Sequence, residues 1–227
     1  MDFADPTPLP LQVDETHAVS ALLQSPRVAR ACYVLAHGAG AGMTHPFMAA
    51  VAAGLAERGV ATLRYQFPYM ERGSKRPDAP PLAQATVRAA VAEAARRLPQ
   101  LPLVAGGKSF GGRMSSQAQA ASPLPGVRGL VFLGFPLHPA GQPSQERAQH
   151  LFEVQCPMLF LHGTRDELAD EALMRSLIDA LGARATLESI AQADHSFHVP
   201  ARSGRKDAEV LSDMLDVTAR WIDRVIA

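Results

Sequence analysis

The chain has 227 residues, which is enough for one sizeable hydrophobic core, and we expect a single domain over residues 1–227 with a short extension at residues 1 to about 10. Lysine and arginine number 22, as do aspartate and glutamate, so no net charge attracts nucleic acid or an anionic membrane. The N-terminus lacks the basic start and apolar stretch of a signal peptide, and no apolar run approaches the length of a membrane span. These features predict a cytoplasmic protein without nucleic-acid or membrane partners.

Apolar runs alternate with helical periodicities along most of the chain. Residues 11–24 alternate weakly and predict one or two antiparallel edge strands. Further strands are predicted at residues 31–36, 60–65, 103–105, 127–135, 158–161 and 185–190, and helices at residues 46–58, 82–98, 117–121, 142–152, 168–181 and 207–226. The proline-bearing residues 67–81 are predicted to be a long loop. This alternation favours an α/β fold, with a mostly parallel sheet covered by helices on both faces.

The segment LPLVAGGKSFGG, residues 101–112, connects a predicted strand to a predicted helix. It contains the pattern G-x-S-x-G, with Ser109 at its centre. In a sharp strand-to-helix turn the central residue is strained and its side chain stands clear of the backbone, whereas Gly107 and Gly111 leave room for the strand and helix to approach. The helix start also presents free N–H groups to an oxyanion formed at the serine. Ser109 is therefore the predicted nucleophile.

Two alternative interpretations of the glycine-rich segments, both as nucleotide-binding loops, agree less well with the sequence than a catalytic role does. Residues 107–109 match the end of the phosphate-loop pattern G-x-x-x-x-G-K-[ST], but its first glycine would fall at Pro102, which has no N–H to offer a phosphate. Residues 38–42 read GAGAG rather than the dinucleotide pattern G-x-G-x-x-G, and no acidic residue follows the next strand.

An acidic residue and a histidine follow the later strands, at the edge of the sheet where ligands bind in α/β folds. Asp166 follows the strand at residues 158–161, and His195 follows the strand at residues 185–190. A histidine that takes the serine proton, and a carboxylate that fixes the imidazole tautomer, complete a Ser-His-Asp triad in the chain order of α/β-hydrolases.

Rival residues stand close to both predicted partners of Ser109. Glu167 and Asp170 are alternative acids, and Asp166 is preferred because it lies nearer the end of its strand. Asp166 would otherwise serve as the cap of the following helix. His198 is the alternative base.

The predicted oxyanion hole consists of two backbone N–H groups. One belongs to Phe110, directly after the nucleophile, and the other to Ala39 in the loop after the strand at residues 31–36, with Gly40 as the next choice. No metal or cofactor is expected, because the histidines lack the paired spacing of zinc ligands.

Five segments together resemble the α/β-hydrolases, and more narrowly the small bacterial dienelactone-hydrolase-like group related to a subunit of the eukaryotic non-specific-lethal chromatin complex. They are HGAGAG at residues 37–42, GGKSFGGRM at 106–114, FPLHPAG at 135–141, LHGTRDE at 161–167 and DHSF at 194–197. The resemblance covers the chain from about residue 30 and implies the α/β-hydrolase fold and a triad of Ser109, Asp166 and His195. It departs from the family pattern at Glu167, where these relatives often have proline. Dienelactone hydrolases use a cysteine nucleophile, so their substrate is not implied here.

The pocket is expected to have at most a minimal lid, because only about 20 residues separate the strand ending at residue 135 from the next one. The side chains predicted to line it are Tyr69, Met70, Leu137 and His138. The basic side chains Arg72, Lys75 and Arg76 either meet a substrate carboxylate or are simply solvated, and Arg113 either touches substrate or pairs within the protein.

The sequence thus predicts a hydrolase that cleaves small ester, thioester or related acyl substrates through an acyl-enzyme. The alternative is a non-catalytic binding or scaffold protein that retains the fold.

Overall fold

The computed structural model describes residues 5–227, which form one eight-stranded sheet with helices on both faces. The strands are β1 (Thr7–Gln12), β2 (Ala18–Gln24), β3 (Ala31–Ala36), β4 (Val60–Tyr65), β5 (Leu103–Lys108), β6 (Val127–Leu133), β7 (Met158–Gly163) and β8 (Ala185–Ile190). Their order across the sheet is β1-β2-β4-β3-β5-β6-β7-β8. The six strands from β3 to β8 run parallel, whereas β2 is antiparallel to both β1 and β4. The predicted mostly parallel α/β sheet and the antiparallel edge strands are confirmed.

Among the described residues, six α-helices cover the sheet. They are α1 (Pro46–Glu57), α2 (Pro68–Glu71), α3 (Pro80–Arg97), α4 (Phe110–Ala121), α5 (Glu171–Leu181) and α6 (Asp207–Ile226). Side chains of α1 and α6 form the hydrophobic core on one face, and side chains of α3, α4 and α5 form the core on the other. Strands β3, β4 and β7 are buried along their whole length, as expected for strands covered on both faces.

Prolines account for several of the differences between the predicted and observed elements. The predicted loop at residues 67–81 contains α2, and α3 begins at Pro80. Both helices carry proline in their first turn, where the missing N–H costs no hydrogen bond. Likewise β1 begins at Thr7, inside the region expected to be an extension, because Pro8 and Pro10 are tolerated on an edge strand.

The remaining differences are at the ends of elements. The helix predicted at residues 142–152 is a 3₁₀ helix at Glu146–Glu153. Helix α5 begins at Glu171 rather than residue 168, because the Asp170 carboxylate accepts the Leu173 N–H and caps the helix there. Within residues 5–227, no helix combines the length and the apolarity that crossing a membrane requires.

Candidate active site

The turn between β5 and α4 holds Ser109 at a positive φ of 50°, with ψ of −114°. Such a conformation is strained for a residue with a side chain and persists only where the surroundings enforce it. A Cβ atom at Gly107 would lie 2.1 Å from the Ala36 carbonyl oxygen, and one at Gly111 would lie 2.5 Å from the His37 carbonyl oxygen. The two glycines therefore let the turn press against the end of β3, which presents the Ser109 hydroxyl at the carboxyl edge of the sheet.

The structure joins Ser109, His195 and Asp166 in one chain of hydrogen bonds. His195 Nδ1 lies 2.7 Å from Asp166 Oδ2, and His195 Nε2 lies 2.9 Å from Ser109 Oγ. Because a carboxylate only accepts, Nδ1 carries the proton and Nε2 is left to accept from the serine hydroxyl. The Asp166 side chain has 0% exposure, whereas the His195 side chain is 21% exposed. The arrangement places a base against the serine and leaves the base accessible from the cavity.

The rival residues lie elsewhere. The carboxylate of Asp170 caps α5, and Glu167 is exposed. His198 points to the surface, where its ring is 65% exposed and Nδ1 lies 2.8 Å from Asp207 Oδ2. This ion pair raises the pKa of His198 above its usual range.

Two backbone N–H groups beside Ser109 are available to an oxyanion. Phe110 is the first residue of α4, so its N–H has no acceptor within the helix. In the loop after β3, the Ala39 N–H makes no hydrogen bond within the described residues, whereas the Gly40 N–H is donated to the Tyr69 hydroxyl at 3.2 Å. Between the two residues considered from the sequence, the geometry thus favours Ala39 over Gly40.

His37 connects this loop to the neighbouring segment. Its Nε2 accepts the Phe67 N–H at 3.1 Å, which places the proton on Nδ1, where it is donated to the Gly38 carbonyl at 2.7 Å. The ring is completely buried, and burial lowers the pKa of His37 to about 4. His37 is therefore neutral near pH 7, in the form that makes both hydrogen bonds.

A cavity of about 380 Å³ opens beside the serine. Its lining residues come from the loop after β3, the start of α1, the β5–α4 turn and the segments after β7 and β8: Gly38, Ala39, Ala41, His45, Phe47, Met48, Lys108, Ser109, Leu168, His195 and Ser196. The sequence prediction missed the wall formed by Phe47 and Met48. One signal was present, since α1 begins directly after the loop that contains Ala39 and its first turn must therefore adjoin the site.

The four side chains predicted to contact substrate lie outside this cavity lining. Tyr69 is completely buried and serves as the acceptor for Gly40, and Met70 is half-buried beside Gly42. Leu137 and His138 are buried at the edge of a second hollow. His138 Nε2 accepts the Asp170 N–H at 3.0 Å, so this segment is tied to the start of α5 rather than turned toward Ser109.

The basic side chains near the predicted pocket also have other surroundings. Arg72 pairs with Asp78 at 2.9 Å, and Lys75 and Arg76 are exposed. The guanidinium of Arg113 is half-buried and forms no ion pair with any of the residues that the structure describes.

Comparisons with known proteins agree with this architecture. Solved structures that are similar over nearly their whole length include a serine hydrolase without a lid from Xanthomonas campestris (22% identity, TM-score 0.75, covering 96% of this chain and 95% of that one). They also include a dienelactone hydrolase from Anabaena variabilis (20% identity, TM-score 0.78, covering 97% of this chain and 98% of that one). A third is the esterase domain of a Rhodothermus marinus protein (15% identity, TM-score 0.75, covering 99% of this chain and 100% of that one). Residues 29–223 match the family model described as an alpha/beta hydrolase domain, and the chain therefore belongs to the α/β-hydrolase family.

Proposed function

We propose that the protein is a serine hydrolase that cleaves small ester, thioester or related acyl substrates through an acyl-enzyme. The observation that carries the proposal is the continuous hydrogen-bond chain from Asp166 through His195 to Ser109, which ends at an accessible cavity. A buried carboxylate, a histidine with a fixed tautomer and a strained serine form the arrangement that activates a hydroxyl for attack.

Each group has a defined role in this reaction. The Ser109 oxygen attacks the carbonyl carbon while its proton passes to His195 Nε2, and Asp166 stabilises the imidazolium that forms. The N–H groups of Phe110 and Ala39 donate to the oxyanion of the tetrahedral intermediate. As the intermediate collapses, His195 returns the proton to the leaving group, and a water molecule activated by the same histidine then releases the acid from Ser109.

The cavity walls support a small and largely apolar acyl group. Phe47, Met48 and Leu168 supply apolar surface, and about 380 Å³ accommodates a small ligand rather than a long chain. An aliphatic or aromatic acyl group of modest size is therefore the proposed substrate class.

Labelling with a fluorophosphonate, followed by mass mapping of the modified residue, tests the proposal. We expect modification at Ser109 in the wild-type protein and none in Ser109→Ala. Since the substitution removes the hydroxyl and adds no atom to the turn, the melting temperature of the variant should change little. Ser122→Ala is the matched control, because Ser122 is exposed at the other end of α4 and labelling should be retained.

The alternative function is a non-catalytic binding or scaffold protein, in line with the narrower resemblance to a chromatin-complex subunit. This resemblance stays a prediction. A folded wild-type protein that is not labelled would favour the alternative, and labelling that survives Ser109→Ala would overturn the choice of nucleophile.

A further inference from the structure

Lys108 is the last residue of β5, and its side chain lies between the serine turn and the segment that carries His195. The ammonium donates to the carbonyl oxygen of His195 itself, and Nζ lies 5.0 Å from the centroid of the Phe197 ring. A Cβ atom at Gly134 would lie 2.9 Å from Nζ and 3.4 Å from two atoms of the His195 ring. The absence of a side chain at Gly134 therefore leaves the space in which Lys108 and His195 meet.

The segment that Lys108 contacts holds a strained backbone. Gln192 and Phe197 both have left-handed conformations, with φ of 61° and 66°. Neither is glycine, so each conformation must be enforced by contacts from outside the residue. The Asp194 carboxylate provides some of these contacts by accepting the N–H groups of Ser196 and His198. Lys108 provides a contact from another element of the fold.

The positive charge of the Lys108 ammonium is balanced by carboxylates that lie near it but do not bind it directly. Asp166 and Asp194 are the carboxylates that face it, and among the described residues neither forms a salt bridge with Lys108. Burial lowers the pKa of Lys108 to about 8, and the two carboxylates partly oppose this change. The direct partners of the cation are a carbonyl dipole and an aromatic face, both of which bind an ammonium better than a neutral amine.

We propose that Lys108 is a positioning residue that holds the segment from His195 to Phe197, and so keeps His195 Nε2 against the Ser109 hydroxyl. The inference rests on the proposed hydrolysis. Because a displacement of about 1 Å in a catalytic group can cost about a hundredfold in rate, a contact that fixes the base from outside its own loop affects turnover.

The test compares Lys108→Met with Lys75→Met, an exposed lysine in the loop after α2. We expect Lys108→Met to lower kcat for a short acyl ester at least about tenfold, with KM changed less than about twofold. Lys75→Met should match the wild type. The wild-type kcat should also fall above about pH 8, as the ammonium loses its proton, and this alkaline limb should be missing from the Lys108→Met profile.

Two further measurements separate positioning from general destabilisation. Amide hydrogen exchange at residues 196–198 should be faster in Lys108→Met, while exchange in β3 and β5 stays the same. Lys108→Arg keeps the charge and does not deprotonate in this pH range, so its kcat should exceed that of the methionine variant and should show no fall near pH 8.

A Lys108→Met variant that keeps kcat within about twofold of the wild type and leaves hydrogen exchange unchanged would overturn the inference. So would a loss of kcat accompanied by the wild-type alkaline limb. Failure of the proposed function is a distinct result, because wild-type protein would then show no labelling at Ser109. The exchange measurement still tests the contact between Lys108 and the His195 segment in that case.

Discussion

Asp166 uses its two carboxylate oxygens for different tasks. Oδ2 binds His195, and Oδ1 accepts the Leu168 N–H at 2.8 Å. A buried ionised carboxylate requires partners for its oxygens, and the second hydrogen bond also fixes its rotation. The alternative weighed from the sequence, that Asp166 caps the following helix, is wrong, because Asp170 caps α5 and Oδ1 of Asp166 binds only the turn at Leu168.

The two neighbouring histidines give a direct test at the residue scale. We expect His195→Asn to lower kcat/KM for a short acyl ester by about a thousandfold or more, because asparagine cannot take the serine proton. His198→Asn should stay within about twofold of the wild type, because it removes only an exposed ion pair with Asp207. Steady-state kinetics on folded variants measure both effects, and the reverse pattern would exchange the roles of the two residues.

The sequence was informative where chemistry depends on local spacing and uninformative where it depends on the path of a loop. The position of Ser109 can be predicted because one glycine of the G-x-S-x-G pattern lies on each side of it, and this pattern is local in the sequence. Leu137 and His138 also follow a strand beside the nucleophile, yet Gly134, with φ of 73°, redirects the chain and His138 binds the backbone of Asp170. That direction depends on a contact between residues far apart in the sequence.

At the scale of elements, the short helix α2 supports the loop that presents Ala39. It places the Tyr69 hydroxyl as the acceptor for the Gly40 N–H, while the backbone N–H of Tyr69 is itself donated to Asp78 at 2.8 Å. We expect Tyr69→Phe to lower kcat several-fold with little change in KM, because the loop loses the bond that orients Ala39 toward the oxyanion. Stability should fall by about 1 kcal/mol.

Tyr33→Phe is the matched control for this variant. It removes a buried hydroxyl that donates to the Val131 carbonyl at 2.9 Å, within the sheet and away from the oxyanion loop. Chemical unfolding should show a similar loss of stability, whereas kcat should be unchanged. Equal kcat losses in both variants would mean that Tyr69 acts only through stability.

The same helix illustrates the limit of reading elements from composition. Residues 67–81 were expected to be a loop because prolines interrupt them, but Pro68 and Pro80 each stand at a helix start. Whether a proline ends a helix or begins one depends on the conformation of the residues before it, which composition alone does not give. By contrast, α6 was predicted with its observed ends, because its apolar positions repeat over twenty residues and bury a continuous face.

At the scale of the whole molecule, His37 makes folding sensitive to acid. Its pKa is about 4 in the folded protein and near 6.5 when the chain is unfolded, so the unfolded state binds the extra proton between these values. The free energy of unfolding should therefore be constant above about pH 7 and should fall by up to about 3 kcal/mol toward pH 4 from this residue.

Urea unfolding at a series of pH values measures this effect. His37→Gln should be less stable than the wild type near pH 7, because its hydrogen bonds are altered, and should lose less stability between about pH 6.5 and pH 4. The burial of His150 lowers its pKa to about 4 as well, so part of the acid sensitivity should remain. An unchanged pH dependence in His37→Gln would contradict the assignment.

The alternation of apolar strands and helices was sufficient to predict the fold class, but not the order of the strands. Strand β4 lies between β2 and β3, so the chain crosses back before it proceeds outward through β5 to β8. This order arises from the antiparallel pairing of β2 with β4, which leaves no periodic signal in either segment. The carboxyl ends of β5, β7 and β8 lie at one edge of the sheet. The proximity of Ser109, Asp166 and His195 could therefore be predicted without knowledge of the strand order.

The connection from β6 to β7 contains one short 3₁₀ helix, Glu146–Glu153, whose Ala148 and Leu151 are buried in the core. Packed in this way, it is anchored to the body of the protein and is not a hinged cover. In the proposed hydrolysis, substrate then enters and product departs without an induced-fit step, so binding energy is not spent on closure. Discrimination between acyl groups is left to fixed walls, where one methylene is worth about 1–3 kcal/mol. We therefore expect an enzyme whose activity changes gradually with the size of the acyl group and that accepts many substrates.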